Sequence, residues 1–297
     1  MSNIKTSKTI ILSDGRVLGY AESGDLEGMP LFLFHGLNSS RLEVNIVHEK
    51  MKKNGIRLIA IDRPGMGLST FQYNRTILDF VDDVSALADA LHIDKFSIIG
   101  VSAGTAYVLA TLHKIPERIQ FCGLISALAP VDEVDNKSMS KANRAFISLS
   151  NILPWFTKPL FWFLQGRLSK RDKDADQFLN NIMLSLDDVD KKLIKDKDAK
   201  NMLLASFREA YREGAKGVAY DAKITFTKPW GFKLEEIDYP IHLWHGEKDK
   251  GVPLPMVKQM VKKLKNATLK TYKNEGHLSI IFHEMDEIIE DFLFYSI

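Results

Sequence analysis

A serine held between two glycines is the residue best placed for covalent chemistry. Ser102 lies in the segment Gly100-Val101-Ser102-Ala103-Gly104, which follows the apolar run Phe96–Ile99 and precedes a helical pattern that begins at Thr105. A G-x-S-x-G sequence between a strand and a helix forms a sharp turn that raises the serine hydroxyl above a sheet. The glycines are needed because a side chain at either position would collide with the neighbouring backbone. The pattern predicts that Ser102 is a nucleophile.

An acid and a histidine that could activate this serine follow later in the chain, each after a predicted strand. Asp249 comes just beyond the apolar run Ile241–Trp244, and His277 comes after the run Thr268–Tyr272. A histidine within reach of a serine can take its proton, and a carboxylate can hold the imidazole in the useful tautomer. The sequence therefore predicts a triad of Ser102, His277 and Asp249 that attacks an ester-type carbonyl.

Other acids and histidines compete for two of these roles. Asp132 follows the run Phe121–Ile125, and Glu247 lies in the same turn as Asp249 but earlier in it. His283 lies in the final amphipathic pattern, which is typical of surface or packing positions. Asp249 is the favoured partner of the histidine, and Asp132 and Glu247 are the alternatives.

The elements that must position these residues are short apolar runs that alternate with helical patterns. The runs are near-continuous, which is typical of strands in a parallel sheet with helices on both faces. The clearest helical patterns span 76–91, 255–265 and 280–295. Near the N-terminus, Lys8–Ser13 and Val17–Glu22 flank a turn signal and predict an antiparallel pair at the sheet edge. The predicted fold class is α/β, with an open and mostly parallel sheet covered by helices on both faces.

The alternation of strands and helices breaks between residues 131 and 238. This stretch has helical patterns but no strand-like run, so we expect a helical cap of residues 131–238 inserted into a core of residues 1–130 and 239–297. An aromatic cluster inside it is expected to place at least one member on the wall of an apolar substrate pocket. Its members are Trp155, Phe156, Phe161, Trp162 and Phe163. The alternative is a surface helical bundle with no role at the site.

Further motifs in the same order resemble those of one large family, the α/β-hydrolase fold serine hydrolases, and in particular its bacterial members with a helical cap. The resemblance covers nearly the whole chain. Besides the serine turn, it is carried by Phe34-His35-Gly36-Leu37, by Asp62-Arg63-Pro64-Gly65-Met66-Gly67-Leu68-Ser69, and by Pro229–Phe232 followed by Pro240–Gly246. A departure from the family pattern is Thr105, where a third small residue is common.

The resemblance implies a site and a mechanism. It implies that the N–H groups of Leu37 and Ala103 form the oxyanion hole, that Asp249 is the triad acid, and that His35 fixes its loop without titrating. The implied activity is carboxylesterase-like hydrolysis, since Ser102 disfavours the members that use an aspartate nucleophile. Hydrolysis of a C–C bond or an amide, and acyl transfer, use the same triad and stay open. A ligand-sensing receptor or signalling protein with little turnover also stays open.

Composition and charge exclude several other classes. Lys+Arg 40 against Asp+Glu 38 gives a net charge of +2, too balanced for a nucleic-acid partner. No run approaches 18 apolar residues, and the single cysteine, Cys122, cannot form an internal disulfide, so we expect no membrane span and a cytoplasmic protein. No H-E-x-x-H or C-x-x-C spacing occurs, and Gly65-Met66-Gly67 lacks the third glycine of a dinucleotide loop. We therefore expect a small-molecule substrate, no metal and no cofactor.

Overall fold

One mostly parallel sheet organises the chain. The structure is a computed structural model that describes residues 4–152, 159–164, 178–179 and 186–295. In these residues eight strands form the sheet in the order β1-β2-β4-β3-β5-β6-β7-β8. The strands are β1 (Lys5–Ile11), β2 (Val17–Gly24), β3 (Met29–Phe34), β4 (Ile56–Ile61), β5 (Phe96–Val101), β6 (Ile119–Ile125), β7 (Ile241–Gly246) and β8 (Ala267–Tyr272). β2 is antiparallel to both β1 and β4, and the remaining pairs are parallel. The predicted α/β fold class and the edge hairpin are confirmed.

Helices pack on both faces of this sheet. The helices are α1 (Val44–Lys53), α2 (Phe80–Ala90), α3 (Gly104–Lys114), α4 (Lys141–Ile152), α5 (Asp188–Leu193), α6 (Lys197–Ala210), α7 (Lys216–Thr227), α8 (Leu254–Lys263), α9 (Ser279–His283) and α10 (Met285–Tyr295). Residues of α2, α3 and α8 form one hydrophobic core with the sheet, and residues of α1 and α10 form a second core on the other face. All six residues of β5 are buried, as expected for a strand covered on both sides.

Two predicted helices have different bounds in the structure. The pattern predicted to start at Thr76 begins as a helix only at Phe80, because Phe80 N–H and Val81 N–H bond the carbonyls three residues before them. Thr76 and Asp79 exchange the hydrogen bonds of a capping box, which precedes this tight first turn. The final pattern is split at Glu284 into α9 and α10. The apolar period runs through that break, so the pattern does not indicate it.

The long connection between β6 and β7 carries several helices. The two strands pair directly, Gly123 opposite His242, although residues 126–240 separate them in sequence. Helices α4 to α7 lie in this connection, which we call the helical insertion. Many of its residues form a third hydrophobic cluster, to which the loop after β4 contributes Met66. The proposed domain division at residues 131–238 stays a prediction. None of the helices in the described part of the chain is long and apolar enough to cross a membrane.

Candidate active site

The turn after β5 holds Ser102 in a strained backbone conformation. Its φ is +52°, in the left-handed region that non-glycine residues rarely adopt. The two flanking glycines make the turn possible. A Cβ on Gly104 would lie 2.0 Å from the carbonyl oxygen of Phe34, and one on Gly100 would lie 2.7 Å from a methyl carbon of Val108. The turn therefore aims the Ser102 side chain out at the carboxyl end of the sheet, as the sequence predicts.

Ser102, His277 and Asp249 form a hydrogen-bonded line. The Nε2 atom of His277 lies 3.0 Å from Ser102 Oγ, and its Nδ1 atom lies 2.7 Å from Asp249 Oδ2. The second carboxylate oxygen of Asp249 accepts the N–H of Val252 at 2.8 Å, which fixes the carboxylate. With the Nδ1 proton donated to Asp249, Nε2 is left to accept the hydroxyl proton of Ser102.

The competing acids and histidine lie elsewhere. Asp132 is exposed, and Glu247 accepts a hydrogen bond from the hydroxyl of Thr271 at 2.9 Å at the surface. His283 is about half exposed and bonds Glu275. Of the three acids, Asp249 is the one whose carboxylate meets the imidazole of His277.

The backbone of His277 is held from two sides. The hydroxyl of Ser126 donates to its carbonyl oxygen at 2.8 Å, and the carboxylate of Asp190, on α5, accepts its N–H at 2.9 Å. Burial lowers the pKa of His277, but the negative charges of Asp249 and Asp190 outweigh burial and leave this pKa raised above its ordinary value. The site thus favours the imidazolium that a triad forms when serine attacks.

Two backbone N–H groups are available beside Ser102. Leu37 follows β3, and Ala103 directly precedes α3, whose dipole favours negative charge at that end. Among the described residues neither N–H donates a hydrogen bond. Leu37 and Ser102 both line one cavity. These are the two donors that the family resemblance implies for an oxyanion hole.

A buried guanidinium clamps the loop that carries Leu37. Arg63 donates to the carbonyl oxygens of His35 and Gly36, and it forms an ion pair of 2.9 Å with Asp221 on α7. Burial and the charge of Arg63 lower the pKa of His35 well below its ordinary value, so its imidazole is neutral. The Nδ1 atom of His35 lies 2.9 Å from the carbonyl oxygen of Gly36. His35 thus contacts its own loop, in line with the prediction that it fixes that loop.

The departure at Thr105 has a structural explanation. Its hydroxyl accepts the N–H of Leu128 at 3.1 Å, and the residue is fully buried. Leu128 in turn lines the cavity beside Ser102. Thr105 therefore joins the first turn of α3 to the chain after β6.

A cavity of about 310 Å³ opens above Ser102 and His277. Most of its lining is apolar and comes from both the sheet end and the helical insertion: Leu37, Leu128, Met139, Ile147, Leu186, Leu203, Phe207, Phe226, Val252, Leu278, Ile281 and Phe282. Glu43 is a carboxyl group on this mostly apolar wall. Burial raises the pKa of Glu43, although a hydrogen bond from Gly36 N–H at 3.3 Å opposes that effect. The volume and lining fit a small apolar ligand.

The predicted aromatic cluster is placed only in part. Phe161 is buried in the cluster of the helical insertion, whereas Trp162 is 72% exposed and Phe163 is 54% exposed. None of these three belongs to the described wall of the cavity. Trp155 and Phe156 lie outside the described residues. The aromatic rings on the described wall are instead Phe207, Phe226 and Phe282, which the sequence analysis did not single out.

The sequence analysis did not identify two acidic residues of the helical insertion that support the loops of the site. Asp190 and Asp221 are fully buried and lie on short stretches with no recognisable motif. The sequence pattern that could have indicated such residues is an acidic residue among apolar residues on one face of a helix. Asp221 shows it, because its neighbours Val218, Ala219 and Ala222 are buried too.

Comparison with known proteins agrees with this architecture. A bifunctional esterase/perhydrolase of Acinetobacter calcoaceticus is 26% identical over 278 residues, which cover 90% of this chain and 92% of that protein. A pimeloyl-[acyl-carrier protein] methyl ester esterase of Legionella pneumophila (strain Corby) is 24% identical over 274 residues, covering 89% and 96%. The solved structure of an esterase from Exiguobacterium antarcticum is similar with a TM-score of 0.70 at 15% identity, over 98% of this chain and 99% of that one. The sequence model of the alpha/beta hydrolase fold matches residues 29–284. Since that match spans most of the chain, this protein belongs to the alpha/beta hydrolase fold family.

Proposed function

We propose that the protein is a serine hydrolase that cleaves an ester bond of a small to medium, largely apolar substrate. The observation that carries this proposal is the hydrogen-bonded line from Ser102 through His277 to Asp249, which opens on an apolar cavity. The esterase names of several relatives support the same reaction class.

The first half of the reaction forms an acyl-enzyme. Ser102 Oγ attacks the ester carbonyl while its proton passes to Nε2 of His277, and the carbonyl oxygen becomes an oxyanion. The N–H groups of Leu37 and Ala103 bind that oxyanion, each contributing roughly 3–4 kcal/mol. The imidazolium then gives its proton to the departing alkoxide, the C–O bond breaks, and the alcohol leaves.

The second half of the reaction restores the serine. His277 takes a proton from a water molecule, the hydroxide attacks the acyl carbon, and a second oxyanion forms on the same two N–H groups. The imidazolium returns the proton to Ser102 Oγ as the acid is released. Asp249 keeps the imidazole oriented throughout and stabilises its positive charge, but it is not itself protonated.

The cavity sets the size and polarity of the substrate. At about 310 Å³ it has room for a short to medium acyl chain rather than a long lipid. Each methylene buried against its apolar wall contributes about 0.8 kcal/mol. We propose that the helical insertion acts as a cap over this cavity, since Leu203 and Phe207 of α6 form part of the wall.

A fluorophosphonate probe tests the nucleophile directly. The wild-type protein should be labelled at one serine, Ser102→Ala should lose both labelling and hydrolysis of p-nitrophenyl esters, and Ser138→Ala, at an exposed position, should keep both. Labelling that persists in Ser102→Ala would refute the assignment. A stoichiometric burst of product followed by almost no turnover would instead indicate a binding protein on this scaffold.

A further inference from the structure

We propose that Asp190, a carboxylate supplied by the helical insertion, is a positioning residue for His277: it fixes the backbone of the histidine loop and stabilises the positive charge that the imidazole acquires. This inference rests on the proposed function only in that His277 acts as the base. Its geometric part stands on the contacts of Asp190 alone.

Three successive N–H groups bind the carboxylate of Asp190. The N–H of His277 donates to Oδ2 at 2.9 Å, and the N–H groups of Leu278 and Ser279 donate to Oδ1, each at 2.9 Å. These donors lie at the start of α9, where backbone N–H groups have no partner within the helix. One side chain therefore satisfies three donors and fixes the turn that presents the imidazole.

The carboxylate of Asp190 is shielded from solvent. Asp190 is 0% exposed, and its carboxylate lies directly against Gly276. A Cβ on Gly276 would lie 2.4 Å from Oδ2 of Asp190, so the glycine before His277 is needed to admit the carboxylate. A charge buried this completely acts on its surroundings through a low effective dielectric.

The helix that carries Asp190 is tied to both triad loops. The neighbouring residue Asp187 caps α5 by accepting the N–H of Val189, and it forms an ion pair of 3.0 Å with Lys250, next to Asp249. Helix α5 therefore contacts the acid loop through Lys250 and the histidine loop through Asp190. The helical insertion and the catalytic base are in this way one packed unit.

The charges around the imidazole give Asp190 a distinct electrostatic role. Burial lowers the pKa of His277, and Asp249 and then Asp190 raise it. Three other ionisable groups near these loops have contacts of their own: His245, whose pKa burial lowers, lies 3.5 Å from Asp249, Lys250 pairs with Asp187, and Glu275 bonds His283. Glu43 faces the same cavity, and burial raises its pKa. Asp190 is thus the second acid, after Asp249, that stabilises the imidazolium.

The decisive experiment is an NMR titration of the His277 imidazole in a Ser102→Ala background, which needs no catalytic turnover. Asp190→Asn should lower the pKa of His277 by roughly 0.5–1 unit, because one stabilising negative charge is removed. Asp188→Asn is the matched control. It removes the same charge from the same helix, but the Asp188 side chain is 82% exposed, so the pKa should stay unchanged. An unchanged pKa in folded Asp190→Asn would overturn the electrostatic role, whether or not the protein proves to be an esterase.

Kinetics in the otherwise wild-type chain test the positioning role. Asp190→Asn should lower kcat for an ester roughly 10- to 100-fold with KM little changed, and the acid limb of the pH profile should move to lower pH. Asp188→Asn should match the wild type in both.

Gly276→Ala provides a second route should Asp190→Asn fold poorly. The added methyl group should push the carboxylate off the three N–H groups and reduce kcat in a similar way. In an Asp190→Ala background the same methyl group should cost little more, because its clash partner is gone. Fully additive losses for the two substitutions would show that Gly276 and Asp190 act independently, and would overturn the inference.

Discussion

Replacement of Asp221 by asparagine should test whether the helical insertion anchors the loop of Leu37, the proposed oxyanion donor. Asp221 lies on α7 and accepts hydrogen bonds from Arg63 at 3.0 Å, from Arg75 at 2.7 Å and from the hydroxyl of Tyr107. The side chains of the two arginines and the aspartate are at most 1% exposed. An amide would leave two guanidinium groups in the interior without the carboxylate that forms an ion pair with both.

The structure sets the size of the expected loss. Burial would raise the pKa of Asp221, but the charges of Arg63 and Arg75 outweigh burial and lower it from 3.8 to about 2. A pKa lower in the folded than in the unfolded state means stability that is present above pH 3.8 and lost as pH falls towards 2, about 2.4 kcal/mol in all. Removing one partner of a buried ion pair costs about 3–5 kcal/mol, because the remaining charge is uncompensated. We therefore expect Asp221→Asn to lower the free energy of unfolding by about 3–5 kcal/mol at pH 7.

Urea unfolding at pH 7 measures this loss against a matched surface variant. Asp82→Asn breaks an ion pair with Lys114 of 2.6 Å, but Asp82 is 70% exposed, so its loss should stay below about 1 kcal/mol. Arg75→Met in the Asp221→Asn background should recover part of the stability, because one buried charge is removed. Equal and small losses for Asp221→Asn and Asp82→Asn would refute the reasoning.

A functional consequence follows from the same contact. Arg63 donates to the carbonyl oxygens of His35 and Gly36, so an Arg63 without its aspartate no longer holds the loop of Leu37 firmly. In protein that is still folded, Asp221→Asn should lower kcat roughly 10- to 100-fold. An unchanged kcat together with reduced stability would show that the contacts of Asp221 with Arg63 and Arg75 contribute to stability alone.

Three further outcomes test the site. Asp249→Asn should reduce kcat about 10⁴-fold by supporting the wrong histidine tautomer, while Asp132→Asn should leave it near the wild-type value; the reverse result would move the acid role to Asp132. The activity should rise with pH through an apparent pKa above the ordinary histidine value, since His277 must be neutral to act as base and its pKa is raised; a flat pH profile with chemistry rate-limiting would argue against His277. In a series of p-nitrophenyl esters, Phe207→Ala should shift the preference towards longer acyl chains, because Phe207 lines the cavity, whereas Phe161→Ala, in the same cluster but away from the described wall, should destabilise without that shift.

The residues of the proposed triad could be predicted because each follows the carboxyl end of a parallel strand. Ser102 follows β5, Asp249 follows β7 and His277 follows β8. The carboxyl ends of such strands meet at one edge of the sheet, where α/β folds bind ligands. Apolar runs, glycines and turn residues encode these positions locally, so a single sequence is enough to place them.

The contacts with the helical insertion could not be predicted for the opposite reason. Asp190 and the histidine loop are 87 residues apart, and Asp221 and Arg63 are 158 apart. No local period marks a partner at that distance.

The aromatic cluster shows the same limit. Its hydrophobicity predicts burial, which holds for Phe161, but it cannot tell which rings face a cavity, a neighbouring helix or solvent, and Trp162 is exposed.

One face of helix α6 both lines the cavity and attaches the helix to the chain after β3. Leu203 and Phe207, four residues apart, line the cavity, and Ser206 between them bonds the hydroxyl groups of Ser39 and Ser40 after β3. Positions three and four apart share one helix face, so the wall and its attachment to the oxyanion side are fixed by the same turn. The helical insertion therefore contacts the chain after β3 through α6, supports the loop of Leu37 through the Asp221–Arg63 ion pair of α7, and contacts the histidine loop through α5. In this arrangement residues that line the cavity and residues that hold the loops of Leu37 and His277 belong to the same insertion, so we expect a change in cavity shape to alter the positions of both loops.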